Sequence, residues 1–267
     1  MSAAANASAT THFVDKWLRR EPEMQLATVF CERVDAAVDE PVLRFQAWGA
    51  LLHELREAVF ELEDPGVAAA KRGWWAEELH QVAAGRPRHP LGEALATLPE
   101  AKAAPWTGLA LAVVGGGGEG RAPDTAQAIA ALQPLAEATL AVENALFRAR
   151  NDDRGAAPAL AVHWLLQRLP RGVGDEDAAR VPMHLLARHG LTVARLPGAG
   201  DAWLRDWAGE LRAALPSRVD GAFLRRARTR FDAARLQRLV RRGGQGGFDD
   251  PAAPGTLWRA WRAARGP

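Results

Sequence analysis

The sequence predicts an all-α protein, and three observations carry that reading. Apolar residues recur every three or four positions along almost the whole chain, which is the spacing of one face of a helix. Proline and glycine interrupt this pattern at intervals that suit helices rather than short strands. Only residues 109–114 form a short continuous apolar run that could be a buried strand, and one strand makes no sheet. A length of 267 residues with 48% hydrophobic and 25% charged side chains is ordinary globular composition, which excludes a disordered or fibrous chain.

Taken in order, residues 1–11 are small and polar, without a basic start followed by a greasy stretch, so they read as a disordered tail and not as a secretory leader. Phe13, Val14, Trp17 and Leu18 then form one helical stripe ahead of Glu21 and Pro22. From Glu23 a second stripe of Met24, Leu26, Ala27, Phe30, Val34 and Val38 continues to Pro41, with Cys31 beside it as a small buried thiol. A third covers 42–62 through Leu43, Phe45, Trp48, Leu51, Leu52, Leu55, Val59 and Phe60, and stops at Asp64, Pro65 and Gly66. Residues 67–84 turn Trp74, Trp75, Leu79 and Val82 to one side and Glu77, Glu78 and Gln81 to another, before Gly85 ends the helix. After Pro90 come a short helix over 91–98, one over 125–150 that Pro134 should kink or restart, and others over 159–169, 202–215 and 222–242. Residues 12–242 therefore read as one helical domain, and 243–267 as a Gly-rich loop with an Arg- and Trp-containing tail.

Several function classes drop out. The single cysteine, Cys31, excludes intramolecular disulfides and a cysteine zinc cage, and fits a reducing cytoplasm. No run approaches the roughly 20 apolar residues of a membrane span. Gly115, Gly117 and Gly120 satisfy GxGxxG, but the fingerprint works only inside a βαβ unit, so a flexible loop is expected there. Serine occurs only at Ser2, Ser8 and Ser217, none in a strand-to-helix elbow, which argues against a serine hydrolase. His80 with His89, and His184 with His189, lack the register of a helical zinc site and read as surface or capping groups.

Twelve arginines against four aspartates lie between Arg218 and Arg265. Arg225, Arg226, Arg228 and Arg230 flank an apolar stripe of Phe223, Leu224, Ala227 and Phe231, so they read as a solvated face, or as a surface attracted to acidic lipid at the inner face of a membrane. No nucleic-acid module accompanies them, and no nucleic-acid partner is expected.

The ordered segment 64–79, with Asp64-Pro65, Lys71, Trp74-Trp75 and Glu77-Glu78, continues to Gly85-Arg86-Pro87-Arg88-His89-Pro90 and resembles the squalene/phytoene synthase family. A weaker match is Arg180-Val181-Pro182 followed by Leu185 to Leu191, and the resemblance extends over about residues 13–191. It implies an all-α isoprenoid-synthase bundle around a central cavity, in which two aspartate-rich helices hold Mg²⁺ against a prenyl diphosphate. Expelling pyrophosphate needs several positive charges on the leaving group, which carboxylates one helical turn apart can clamp as metal ions.

Counted back from Asp64-Pro65, the family's first acidic motif falls on Arg56, Glu57, Phe60 and Glu61, where only Glu57 and Glu61 are acids. At i, i+4 they would share a face and could hold one weak metal ion, with Arg56 and Arg180 as diphosphate-binding candidates. Where the second motif should stand, the chain offers His163, Gln167 and Arg168, then a loop with Asp175 and Asp177; Asp152 and Asp153 could also substitute. The resemblance thus implies a catalytically impaired relative with no required cofactor, which binds a lipid or isoprenoid or serves a protein partner as an accessory factor. The alternative it leaves open is an active Mg²⁺-dependent transferase condensing two prenyl diphosphates. Trp74 and Trp75 are expected to be structural, with at least one ring inserted between helices.

Overall fold

In the computed structural model, which describes residues 3–34, 39–62, 64–116, 121–149, 155–167, 169, 181–196, 199–244 and 253–266, every regular element is helical. The chain runs through α1 (Ala3–Arg20), α2 (Pro22–Thr28), α3 (Cys31–Val34) and α4 (Pro41–Arg56), which continues as a π-helical turn over Glu57–Glu61. It goes on through α5 (Pro65–Ala83), α6 (Pro90–Ala96), α7 (Trp106–Gly115), α8 (Thr125–Leu146) and α9 (Ala156–Gln167). The remaining helices are α10 (Met183–His189), α11 (Ala202–Ala214), α12 (Phe223–Arg242) and α13 (Ala253–Ala264).

The starts follow local chemistry. α2, α4, α5 and α6 carry proline in the first turn, where its missing N–H costs nothing. Asp64 caps α5 by accepting from the Val67 N–H at 2.8 Å, and Asp124 caps α8 through Gln127 at 2.8 Å. α10 stops at Gly190, whose φ of +61° is the left-handed cap that glycine adopts without strain.

α1 lies against α4 and α6, α5 against α7, α8 against α9, and α12 against α9, α11 and α13. Trp17, Trp48, Trp75, Trp106 and Trp207 are fully buried between these layers. The Trp17 ring lies directly on Gly49, where any Cβ would overlap its Cη2, so α1 and α4 approach this closely only with glycine at 49.

Five expectations change. The segment read as a disordered tail is helical from Ala3, and the Thr10 hydroxyl donates to the Pro90 carbonyl at 3.3 Å. The stripe after Glu23 divides into α2 and α3, with a break at Val29 and Phe30 beside which the Thr28 hydroxyl donates to the Met24 carbonyl at 3.1 Å. The possible strand at 109–114 belongs to α7, and α8 passes Pro134 as one helix because Pro134 and Ala130 face solvent, which hydrates the carbonyl that proline frees. The C-terminal tail contains α13, which docks on α12 and α2. Among the described residues no helix is long and apolar enough to cross a membrane.

Candidate functional site

The acids that the resemblance singles out stand where α4 passes into its π-helical turn, and cations from other helices hold them. Lys16 of α1 lies between two carboxylates, its Nζ 2.7 Å from Glu54 and 2.6 Å from Glu57. Lys71 of α5 takes the other oxygen of Glu57 at 2.8 Å. Burial by itself would raise the Glu57 pKa, but the hydrogen bonds and charges of Lys16 and Lys71 outweigh it and bring the carboxyl to about 2. Burial lowers Lys16, and Glu54 and Glu57 more than reverse that, so it stays protonated above its ordinary range.

Glu61 is not part of this cluster. The Arg56 guanidinium draws it away, with Nε 2.9 Å from Glu61 Oε1, while the two lysines draw Glu57 the other way. The third neighbour of Glu54 and Glu57 is His53, and the three offer one ligand atom each within 4.8 Å of one another. Sequence reasoning missed His53 and Glu54, although both lie one turn before Glu57 on the same helix. Arg56 is buried and engaged, 3.5 Å from Glu21 and 3.1 Å from His53 Nδ1. A guanidinium can only donate, so that imidazole nitrogen accepts; burial first, then Arg56, pull the His53 pKa down to about 3.

Behind Arg56 a buried network crosses the interior to α12. Arg228 donates to Glu21 at 2.8 Å, and Arg235 to Glu23 at 3.0 Å. His163 of α9, one of the residues found where the resemblance would put a second acidic motif, lies 2.9 Å from Asp232. Burial holds His163 below its ordinary value while Asp232 opposes, and Arg228, His163 and Arg56 together override burial at Glu21 and keep it ionised. Closer to the other end, Arg225 grips Glu143 in a bidentate pair at 2.7 and 3.2 Å, and Trp48 Nε1 donates to the same carboxylate at 2.9 Å. Arg225 and Arg228 are thus neither a solvated face nor a membrane face. Arg226 and Arg230 donate to the carbonyls of Ala263 and Gly266, at 3.0 and 3.4 Å, and cap the C-terminus of α13.

The segment that carries the strongest resemblance makes a structural knot. Glu78, buried beneath it, accepts from the backbone N–H groups of Arg88 and His89 at 2.9 Å each and so fixes the turn between α5 and α6. His89 caps α6 by accepting from the Leu91 N–H at 3.2 Å, and burial lowers its pKa to about 4 against the charge of Glu78. Its ring packs on Phe13, Trp74 and Trp75. Trp75 is the inward ring at 2% exposure, and Trp74 remains 44% exposed. His184 and His189 pair with Glu210 and Asp206 of α11 at 2.9 and 3.0 Å, acids too distant in sequence to be read beside them.

Arg180, Arg168, Asp152, Asp153, Asp175, Asp177, Gly117 and Gly120 lie outside the described residues. Gly115 ends a helix rather than a strand, which removes the architecture a dinucleotide fingerprint needs. Two grooves open elsewhere: one of about 890 Å³ between α1, α2, α4 and α6, with Val14, Leu18, Val42 and Leu43 among its walls, and one of about 850 Å³ beside α8.

The fold family implies Mg²⁺, which surrounds itself with about six oxygens at about 2.0–2.1 Å. The residues at α4 do not fit it. An ammonium occupies the space between Glu54 and Glu57, a second holds the remaining Glu57 oxygen, and the lone pair of His53 Nδ1 points at a guanidinium. Among the described residues no second acidic cluster faces this one; the group across the interior is the Glu21–Arg228 and His163–Asp232 network.

The bundle aligns with a crystal structure of a dehydrosqualene synthase in complex with ligand, over 97% of this chain and 96% of that one, with a TM-score of 0.65 and 12% identity. A crystal structure of squalene synthase HpnC from Alicyclobacillus acidocaldarius aligns over 94% of this chain and 97% of that one, with a TM-score of 0.43 and 16% identity. No protein-family model and no curated protein matches the chain. The protein has the all-α isoprenoid synthase fold of the dehydrosqualene synthase.

Proposed function

We propose that this protein is a diverged relative of the squalene/phytoene synthases that does not ionise prenyl diphosphates and serves instead as a binding or accessory protein. One observation carries the reading: Lys16 and Lys71 neutralise Glu54 and Glu57 from within the chain, in the place where a synthase would leave its carboxylates to metal ions. A lysine ammonium carries one charge and has no open coordination position, so it stabilises the carboxylates without gaining a hold on a departing pyrophosphate. Arg56, a diphosphate-binding candidate by sequence, is already engaged by Glu21, Glu61 and His53. For an isoprenoid or lipid ligand, the 890 Å³ groove between α1, α2, α4 and α6 offers Val14, Leu18, Val42 and Leu43, beside Asp15, Glu32 and Glu93 that would face any polar end.

The test is incubation of the purified protein with farnesyl or geranylgeranyl diphosphate and Mg²⁺, with and without NADPH, followed by assay of pyrophosphate and extraction of products. No release above the protein-free control is expected. Magnesium-dependent release that disappears in Glu57→Gln would make the transferase reading correct.

A further inference from the structure

α13 has two unlike faces. Thr256, Ala260 and Ala263 are buried against the bundle, and their small side chains let the helix lie close. On the outside Leu257, Trp258 and Trp261 are 37%, 54% and 38% exposed, although large apolar groups gain by leaving water. Arg262 lies on the exposed side beside Trp258, Arg265 just beyond the helix, and half-buried Arg259 at the flank; the guanidinium of Arg262 lies 5.0 Å from the Trp258 ring centre and that of Arg265 4.8 Å from the Trp261 ring centre. Arg241 and Arg242 close α12 nearby in sequence, and among the described residues none of these five pairs with an acid. The positive charges crowd one another: burial and then Arg262 lower the pKa of Arg230, while burial, Arg235 and then Arg259 lower that of Arg238. The caps from Arg226 and Arg230 fasten the helix to α12, so this face is held in one orientation.

We propose that the outer face of α13 docks the protein on an anionic lipid bilayer, with the indoles of Trp258 and Trp261 and the Leu257 side chain at the headgroup boundary and Arg259, Arg262 and Arg265 on lipid phosphates. Indoles prefer the interface because one edge is apolar and the other donates a hydrogen bond, and guanidinium groups match phosphate with two parallel donors. An amphipathic helix with cations beside its apolar ridge lies in the membrane plane. Charge complementarity selects anionic over neutral lipid. Leu257, in line with the two indoles, selects lipid over nucleic acid, since bases can stack on indoles but gain little from an aliphatic chain. This inference does not depend on whether the protein turns over prenyl diphosphates.

The experiment is flotation of the full chain with vesicles of phosphatidylcholine alone and of equal parts phosphatidylcholine and phosphatidylglycerol, with single-stranded RNA as a competing ligand. Binding to the anionic vesicles alone is expected, weakening as salt is added. Each arginine near such a surface is worth about a factor of five, so the triple variant Arg259→Gln, Arg262→Gln, Arg265→Gln should bind roughly 100-fold more weakly. Quenching by brominated acyl chains should be lost in Trp258→Phe with Trp261→Phe while flotation persists, because the remaining tryptophans lie away from this face. Unchanged melting curves confirm that these substitutions leave the fold intact, and Arg262→Gln with Arg265→Gln, both exposed, tests the same charge dependence without half-buried Arg259. Equal binding to neutral vesicles, no binding at low salt, indifference to the arginine changes, or a preference for RNA would overturn the proposal.

Discussion

The ion pairs at the end of α4 and those along α12 use the same kinds of residue and do different work. Lys16 and Lys71 reach Glu54 and Glu57 from the rim, and each lysine side chain keeps about a third of its surface in water, at 34% and 28%. Arg225, Arg228 and Arg235 meet Glu143, Glu21 and Glu23 with almost no exposure on either side. Desolvation makes the difference. At the rim the ammonium groups reach water and another cation could take their place beside Glu57 and the more buried Glu54, whereas inside the bundle each charge exists only because its partner does. The α12 pairs are part of what defines the packing; the α4 pairs decide which cation the carboxylates hold.

The largest effect should follow from breaking the buried set. Glu143→Ala leaves Arg225 and Trp48 Nε1 without their acceptor and should cost about 3–5 kcal/mol, as should Arg225→Ala. The double replacement Glu143→Leu with Arg225→Met should recover most of that loss, because two apolar groups need no partner. Denaturant melts of the three variants measure this, and a double variant as weak as the singles would place the energy in something other than uncompensated charge. At the neighbouring knot, Trp75→Ala should cost about 3–5 kcal/mol through the cavity it leaves, and Trp74→Ala no more than about 1.5 kcal/mol for its ring contacts. Two variants that melt like the parent would contradict the packing argument.

The next effect is smaller and depends on pH. His53 ordinarily titrates at 6.5 and is held at about 3 in the fold, so below pH 6.5 the unfolded chain binds a proton that the folded chain refuses. Stability therefore falls as pH drops from 6.5 toward 3, and His89, held at about 4, adds to the same fall. Glu57 has the carboxylate form of the effect: its contribution is intact above pH 4.5 and is lost as pH falls through about 2. Urea melts across this range should show the decline starting well above the carboxylate range. His53→Gln should make the decline between pH 6.5 and 3 shallower and leave the share that His89 contributes above pH 4. An unchanged slope would remove His53 from the account.

Much of the fold could be read from spacing and punctuation: Pro22, Pro41, Pro65 and Pro90 open helices where the sequence places them, and the stripe around Trp48 is the core face of α4. The candidate site was legible only as positions. Glu57 can be found by counting from Asp64-Pro65, but its partner Lys16 comes from 41 residues away, and a sequence gives no reason to bring those two together. The arginines of α12 were misread for a related reason. Arg225, Arg228, Asp232 and Arg235 recur at helical spacing, and that pattern on a buried face is as charged as one on a solvated face until Glu21, Glu23, Glu143 and His163 are placed opposite it. α13 escaped notice because its inner contacts are a threonine and two alanines, which carry little periodic hydrophobic signal.

The rim comparison leads to the most direct test. If Lys16 and Lys71 stand where a divalent ion would, removing them should free Glu54 and Glu57 as ligands, at a cost in stability that an added divalent ion restores, because Glu54 is buried and cannot stay charged without a cation. Mn²⁺ is the probe, since it accepts carboxylate and imidazole and can be titrated by its spin-resonance signal. The account predicts no saturable Mn²⁺ site in the parent protein and one gained site in Lys16→Met with Lys71→Met, lost again when Glu57→Gln is added. A parent protein that binds Mn²⁺ at Glu57 with both lysines in place would contradict it.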